Sequence, residues 1–505
     1  MDVLVLNQGW PLLSLLVFLP LVGIALLPLL RDNRVAKIWV LAITVANAVL
    51  SLKLYTGFDA TTAKYQFAET LAWIPSLNIT YTLGVDGISL LLVLLTTFLM
   101  PLCVLCSWNA ISTRVREFLA CILVMETSML GVFLALDFVL FYIFWEAMLI
   151  PMFLLIGIWG GPRKIYASVK FFLYTLAGSV LLPVAIIYLY LHSTPHTFFI
   201  PALMGQPLAG AVQAWLFLAF FVAFAVKVPM FPFHTWLPAA HVEAPTAGSV
   251  LLASVLLKMG AYGFLRFCLP ITPLGVVAFA PVVLGLSVIG IIYGGFTALA
   301  QTDMKRLVAY SSVAHMGFVT LGIFVLNTQG VEGAILQMIN HGVTTGALFL
   351  CVGMIYERTH SRELANATGI GKIMPIYVTA LAIFGLSSFA FPGTNNFVGE
   401  FLVLAGTFAF STKLAVLTIP GVVLSAAYML RMLQRIIWGG TNNPDTSYLT
   451  DLNVREILTL AVLVGFVLWI GLAPAAFMNV FHTSVSHLLG QFQAGAGGSH
   501  GIRTL

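Results

Sequence analysis

Charge is what this chain has least of. Lysine and arginine contribute 23 residues and aspartate and glutamate 18 among 505, so 8% of positions are charged, against roughly 25% in soluble domains. So few ions exclude an ordinary water-soluble protein, a disordered chain and a phosphate-neutralising nucleic-acid binder, because each needs ionic side chains in quantity. Cysteine is scarce too: Cys103, Cys106, Cys121, Cys268 and Cys351 are the five, and all fall in apolar stretches. An iron–sulfur cluster generally needs four ligands, so the Cys103-Val-Leu-Cys106 spacing reads as packing. The sequence predicts no strand, hence no strand-borne phosphate loop, and no metal-ligand spacing occurs among its histidines. The net charge of +5 is too diffuse to name a partner.

What is abundant is apolar sequence, 60% hydrophobic with a mean hydropathy of +1.02. Runs long enough to cross about 30 Å of hydrocarbon recur along the chain, whereas a β-barrel would alternate over ten-residue strands. The expected fold is an all-α polytopic membrane protein of about 14 transmembrane helices. The spans are 10–30, 36–55, 84–107, 117–136, 138–158, 168–191, 208–237, 245–267, 274–299, 305–327, 331–356, 375–411, 414–438 and 456–480. Residues 56–83 read as a longer outside loop and the Gly-rich tail from Gly490 as unstructured. The first run lacks a basic flank and a small-residue cleavage site, so it reads as a retained span.

Basic residues orient the chain, because cytoplasmic loops keep Lys and Arg. Sixteen of the 23 fall on alternate connections, from Arg31, Arg34 and Lys37 to Arg431, Arg435 and Arg455. Lys53, Lys64, Arg266, Lys413 and Arg503 lie on the other side. Both termini are therefore expected away from the cytoplasm.

The two cations left over, Lys227 and Lys258, sit within the seventh and eighth spans. An ammonium at the bilayer centre costs at least ~2.5 kcal/mol, so such groups face a bundle interior or a wet cavity. Glu146, in Phe-Trp-Glu, and Glu400, in Val-Gly-Glu-Phe, lie at similar depth in the fifth and twelfth spans. A structural ion-pair reading explains the four poorly, since a buried pair rarely outdoes apolar packing. Glu126 is a weaker candidate with no partner legible in the sequence. His315, His341 and His234 can carry protons near neutral pH, though a lone histidine in an apolar helix is as readily a hydrogen-bonded core residue.

Prolines add a second signal. Pro229 and Pro232 interrupt the seventh span and should deprive the Ala225 and Val228 carbonyls of their helical partners. Phe391-Pro392-Gly393-Thr394-Asn395-Asn396 repeats the device before Glu400. Broken helices in corresponding halves are a transporter pattern; a packing kink in each half is the plainer alternative.

Val-Lys-Val-Pro-Met-Phe-Pro-Phe-His-Thr-Trp-Leu-Pro-Ala-Ala-His around Lys227, Leu-Leu-Lys-Met-Gly at Lys258, Ala-Tyr-Ser-Ser-Val-Ala-His-Met-Gly at His315 and Ile-Asn-His-Gly at His341 resemble the antiporter-like membrane subunits of respiratory complex I over nearly the whole chain. An acid at Glu400 is similar to the subunit M branch, since the L and N sisters typically carry Lys there. The resemblance implies helices 1–3 over 1–116, two inverted five-helix repeats over 117–267 and 268–440 with helices 7 and 12 broken, and a final helix with a flexible tail over 441–505. It implies Glu146 and Lys227 as a coupling ion pair, Lys258 as central relay and Glu400 as the acid near the exit. No cofactor is expected in this chain. FMN, iron–sulfur clusters and quinone belong to partner subunits, the L and N subunits and the lipid bilayer are the expected partners, and the bacterial inner membrane is the location. Two departures stand out: Ala240 where the family usually has Asp, and Asn396 where it usually has Gly.

The mechanism this suggests is electrostatic switching along Glu146, Lys227, Lys258 and Glu400. At an effective dielectric of 20, parting two charges from ~4 to ~8 Å weakens their attraction from about 4 to about 2 kcal/mol. Driving a proton against 100 mV costs about 2.3 kcal/mol, so linked swings are needed. A cation/proton antiporter, a membrane-bound hydrogenase subunit and a non-pumping scaffold are the alternatives.

Overall fold

The computed structural model of the chain describes residues 3–7, 9–439 and 449–497. Helices dominate, and among the described residues thirteen are long and apolar enough to cross a membrane. In chain order these and their shorter companions are α1 (Leu12–Leu26), α2 (Asn33–Gly57), α3 (Gly87–Ala110), α4 (Val115–Leu134), α5 (Phe138–Trp159), α6 (Lys164–His192), α7 (Gly210–Lys227) and α8 (Trp236–Glu243). There follow α9 (Thr246–Ile271), α10 (Pro273–Leu299), α11 (Met304–Phe324), α12 (Thr328–Thr359), α13 (Pro375–Ser388), α14 (Asn395–Phe410), α15 (Thr412–Trp438), α16 (Val454–Leu472) and α17 (Ala475–Gly495).

Three expectations are corrected here. Residues 56–83 are not an irregular loop: β2 (Tyr65–Ile74) and β3 (Ile79–Val85) form an antiparallel hairpin, and β1 (Leu4–Leu6) adds in parallel to β2. Alternating Thr80, Thr82 and aromatic positions carry this signal, which long apolar flanking runs overshadow. The span placed at 456–480 ends at Leu472, and a second helix starts beyond Pro474, since proline suits a helix start and not its interior. That second helix, α17, runs through Gly490 to Gly495, so the tail is helical that far; 498–505 lie outside the described residues.

Burial is layered. α9, α11 and α12 are almost wholly enclosed, while α1, α2 and α16 present most of their surface outward. The enclosed three carry Lys258, His315 and His341. Prolines set the irregularities of the outer helices. Pro151 offers no N–H to the Ala147 carbonyl and α5 loosens at Met148; Pro183 does the same to Ser179 and α6 loosens at Val180. Glu146 and Ser179 sit beside these two loosened points.

Candidate functional site

α7 stops at Lys227, as its prolines demand, and the chain turns through 228–235 before α8. The Ala225 carbonyl is not left free, however: the Met230 N–H reaches back to it at 2.9 Å, and Trp236 Nε1 donates to the Val226 carbonyl at 2.9 Å. Residues just past the break thus take up the Ala225 and Val226 carbonyls. Lys227 is buried with its Nζ 5.0 Å from the Trp145 ring centroid. Its expected ion-pair partner does not touch it. Glu146 is half-buried and accepts a 2.5 Å hydrogen bond from Ser179 Oγ, close enough to act on Lys227 through its field. The coupling pair is therefore a pair at a distance, with an aromatic face beside the ammonium.

Across from the break, Gly260 of α9 lies so close that a Cβ there would stand 2.6 Å from Val228 and 2.7 Å from the Phe224 carbonyl oxygen. Small residues permit such helix contact. Two turns of π-helix, Leu252–Leu256 and Phe264–Cys268, bracket the segment that bears Lys258. The wider turns let its Nζ donate to the Ala253 carbonyl five residues back, and put it 2.6 Å from His341 Nδ1.

From His341 the polar run continues. Its ring and that of His315 are 5.7 Å apart, edge to face, and His315 Nδ1 stands 2.8 Å from Glu400 Oε1. Nε2 of the same ring faces the Ser388 and Tyr428 hydroxyls, each at 3.4 Å, so the two ring nitrogens look onto different partners. Gln337 Nε2 donates to the same Glu400 oxygen at 3.0 Å. Oε2 of Glu400 and Nε2 of His341, both buried, have no protein partner among the described residues.

The second break is stitched to α12. Asn340 Nδ2 donates to the Asn395 carbonyl at 2.7 Å, while Ser387 and Thr344 hydroxyls donate to Asn395 Oδ1 at 2.5 and 3.1 Å. Gly399 lets α14 reach α12, since a Cβ there would lie 2.5 Å from Gln337 Oε1. Asn396 is buried, and its Oδ1 has no protein partner among the described residues.

Residues 135–426 match the family model described as NADH:quinone oxidoreductase/Mrp antiporter, TM, and residues 15–132 match that of NADH-ubiquinone oxidoreductase chain 4, amino terminus. The chain is 49% identical over 504 residues to NADH-quinone oxidoreductase subunit M of Rhodobacter capsulatus, covering 96% of this chain and 98% of that one. The chain belongs to the antiporter-like subunits of NADH:quinone oxidoreductase, in the subunit M and chain 4 branch. Chain 4 of Marchantia polymorpha is 44% identical over 483 residues, 94% of this chain and 97% of its own. A chain of respiratory complex I from Thermus thermophilus with bound NADH superposes with a TM-score of 0.87 at 32% identity, over 95% of this chain and 100% of that one. Membership makes this a multi-pass membrane subunit of an oxidoreductase complex.

Within this antiporter-like subunit the predicted residues divide. Lys258, His341, His315 and Glu400 form one contact run; Lys227 and Glu146 stand apart from it and from each other. His234 lies in the first break beside Phe231 and Tyr293, with ring centroids at 5.7 and 5.0 Å, and joins neither group. Sequence reasoning missed Gln337, Ser388 and Tyr428, polar residues common in any helix, and it missed His241. This histidine is wholly buried, stacked on Phe349 at 4.5 Å, with both ring nitrogens unpartnered among the described residues. It sits within electrostatic reach of both Lys258 and Lys305. Lys305 was legible only as one of the loop cations, yet it is buried and donates to the Ala244 carbonyl at 2.5 Å. It lines a cavity of about 520 Å³ with Glu243, Tyr356, Glu357 and Arg362.

Proposed function

We propose that this subunit moves protons across the membrane for NADH:quinone oxidoreductase along Lys258, His341, His315 and Glu400, with Lys227 and Glu146 as the groups that set the charge of Lys258. The observation that carries it is the contact run itself: four ionisable side chains on four helices, buried in the enclosed core, joined by steps of 2.6, 5.7 and 2.8 Å, the middle one between ring centroids. Imidazole can accept a proton on one nitrogen and release it from the other, so two histidines between a lysine and a carboxylate suit transfer and not only packing. Lys227 lies between Phe224 and Val228, the two residues that meet Gly260 of α9, two positions from Lys258, so a change in its charge would alter the field at Lys258. In this state Glu146 is held off by Ser179, and its approach to Lys227 is the swing that would pin the lysine proton. Protons enter by the cavity beside Lys305 and pass His241 to reach Lys258.

In this reading the redox chemistry and its FMN, iron–sulfur and quinone groups sit in partner subunits. The neighbouring L and N subunits flank this one in the bacterial inner membrane, and both termini face away from the cytoplasm. The test is Lys258→Met, which keeps length and loses the charge, in the assembled complex. Proton pumping per NADH oxidised should fall while the complex still assembles and oxidises NADH. Undiminished pumping would leave the scaffold reading standing.

A further inference from the structure

At the hairpin end of the bundle, away from Lys305, a second cavity of about 330 Å³ opens where α3 begins and α9 ends. Its floor is Arg266, buried, whose Nη1 and Nη2 grip Asp86 Oδ2 and Oδ1 at 2.9 and 2.7 Å. The Tyr65 and Tyr262 hydroxyls take two further N–H groups at 2.9 and 3.1 Å, which leaves one Nη2 N–H of the guanidinium's five. Asp86 is the only acid on the cavity wall among the described residues, and both its oxygens are spoken for by Arg266, with Ser89 N–H adding to Oδ1 at 3.0 Å. Lys64 and His487 stand at the rim, both exposed, and neither takes part in an ion pair among the described residues. The lining thus carries uncompensated positive charge. Ile88, Met204, Leu265 and Leu488 give the lining an apolar part.

We propose that this cavity binds the anionic headgroup of a membrane phospholipid, the phosphate between Lys64 and His487 and the glycerol end against the apolar part of the lining. Charge complementarity calls for an anion. The apolar lining and a position level with the ends of two spans call for one delivered by lipid and not by solution. The volume suits a headgroup, with the acyl chains left outside.

The assembled complex, reconstituted in nanodiscs with a phosphatidylglycerol probe carrying a photoreactive group on its headgroup glycerol, provides the test. Crosslinks mapped by mass spectrometry should cluster at Met204, Leu265 and Leu488. Lys64→Ala with His487→Ala should cut them about fivefold through loss of the Lys64 cation, and further through loss of the His487 ring N–H. Both residues are exposed, so assembly, read on native gels, should hold; Lys413→Ala, an exposed cation elsewhere, should leave the pattern unchanged. Equal labelling by a phosphatidylcholine probe, or labelling indifferent to the double substitution, overturns the proposal. Loss of labelling on adding inorganic phosphate alone also overturns it, in favour of a site for free anions.

Discussion

At the scale of single residues, His341 is the narrowest point of the run, because it is the one group touching Lys258 on one side and facing His315 on the other. Replacing it with Asn keeps an oxygen that can accept from the ammonium but removes the group that can take up and release a proton. His341→Asn should therefore assemble and oxidise NADH while pumping collapses; the ratio of protons moved to NADH consumed, measured in vesicles, decides it, and an unchanged ratio sinks the relay. His341→Ala adds a stability cost of about 1–3 kcal/mol, since Lys258 then keeps only the Ala253 carbonyl as partner. Gly399 tests placement and not proton chemistry. An added methyl would stand 2.5 Å from Gln337 Oε1 and 3.0 Å from Asn340 Nδ2, so Gly399→Ala should cost about 1–3 kcal/mol and shift Glu400 off His315. A lowered thermal midpoint together with lowered pumping is the expected pair of results.

At the scale of elements, the first break is where sequence and structure meet most closely and also where they part. Pro229 and Pro232 are legible as helix breakers, and α7 does end at Lys227. What the prolines do not announce is the repair: Met230 and Trp236 come from beyond the break, and the sequence does not specify the turn that returns them to Ala225 and Val226. The same limit hid the separation of Glu146 from Lys227, because the competing partner, Ser179, belongs to another helix and looks like any other serine. Histidines and lysines at mid-span were legible since lipid makes them conspicuous; their mutual distances were not. Pro229→Ala probes the element directly. It restores an N–H that can bond the Ala225 carbonyl in helical register, in competition with Met230. The variant should assemble at least as well as the parent and pump more slowly, because a continuous α7 stiffens the segment holding Lys227. Equal rates at higher stability would make the break a matter of packing.

At the scale of the whole molecule, the two ends of the bundle differ in kind: one is tied by Lys305, Glu243 and Arg362 around an open cavity, the other by the Asp86–Arg266 pair under the hairpin. Burial pushes the Asp86 carboxyl up, but Arg266 and the cap bonds from Ser89 outweigh it and hold it below the usual carboxylate range. A carboxyl so depressed stabilises the fold at neutral pH and loses that contribution only as pH falls below its unfolded value near ~3.9. Asp86→Asn removes the charge at every pH and strands Arg266, at about 3–5 kcal/mol, so it should weaken assembly already at pH 7. The same two-ended asymmetry predicts orientation. All five native cysteines are buried, so an introduced one reports alone to a membrane-impermeant maleimide. Asn366 and Ser76 are both exposed, the first on the connection between Arg362 and Lys372, the second at the tip of the hairpin. If cytoplasmic loops retain the basic residues, Asn366→Cys labels only in everted vesicles and Ser76→Cys only in right-side-out ones. The reverse pattern would turn the subunit over, making the Lys305 cavity an outlet and the relay a path running from Glu400 inward.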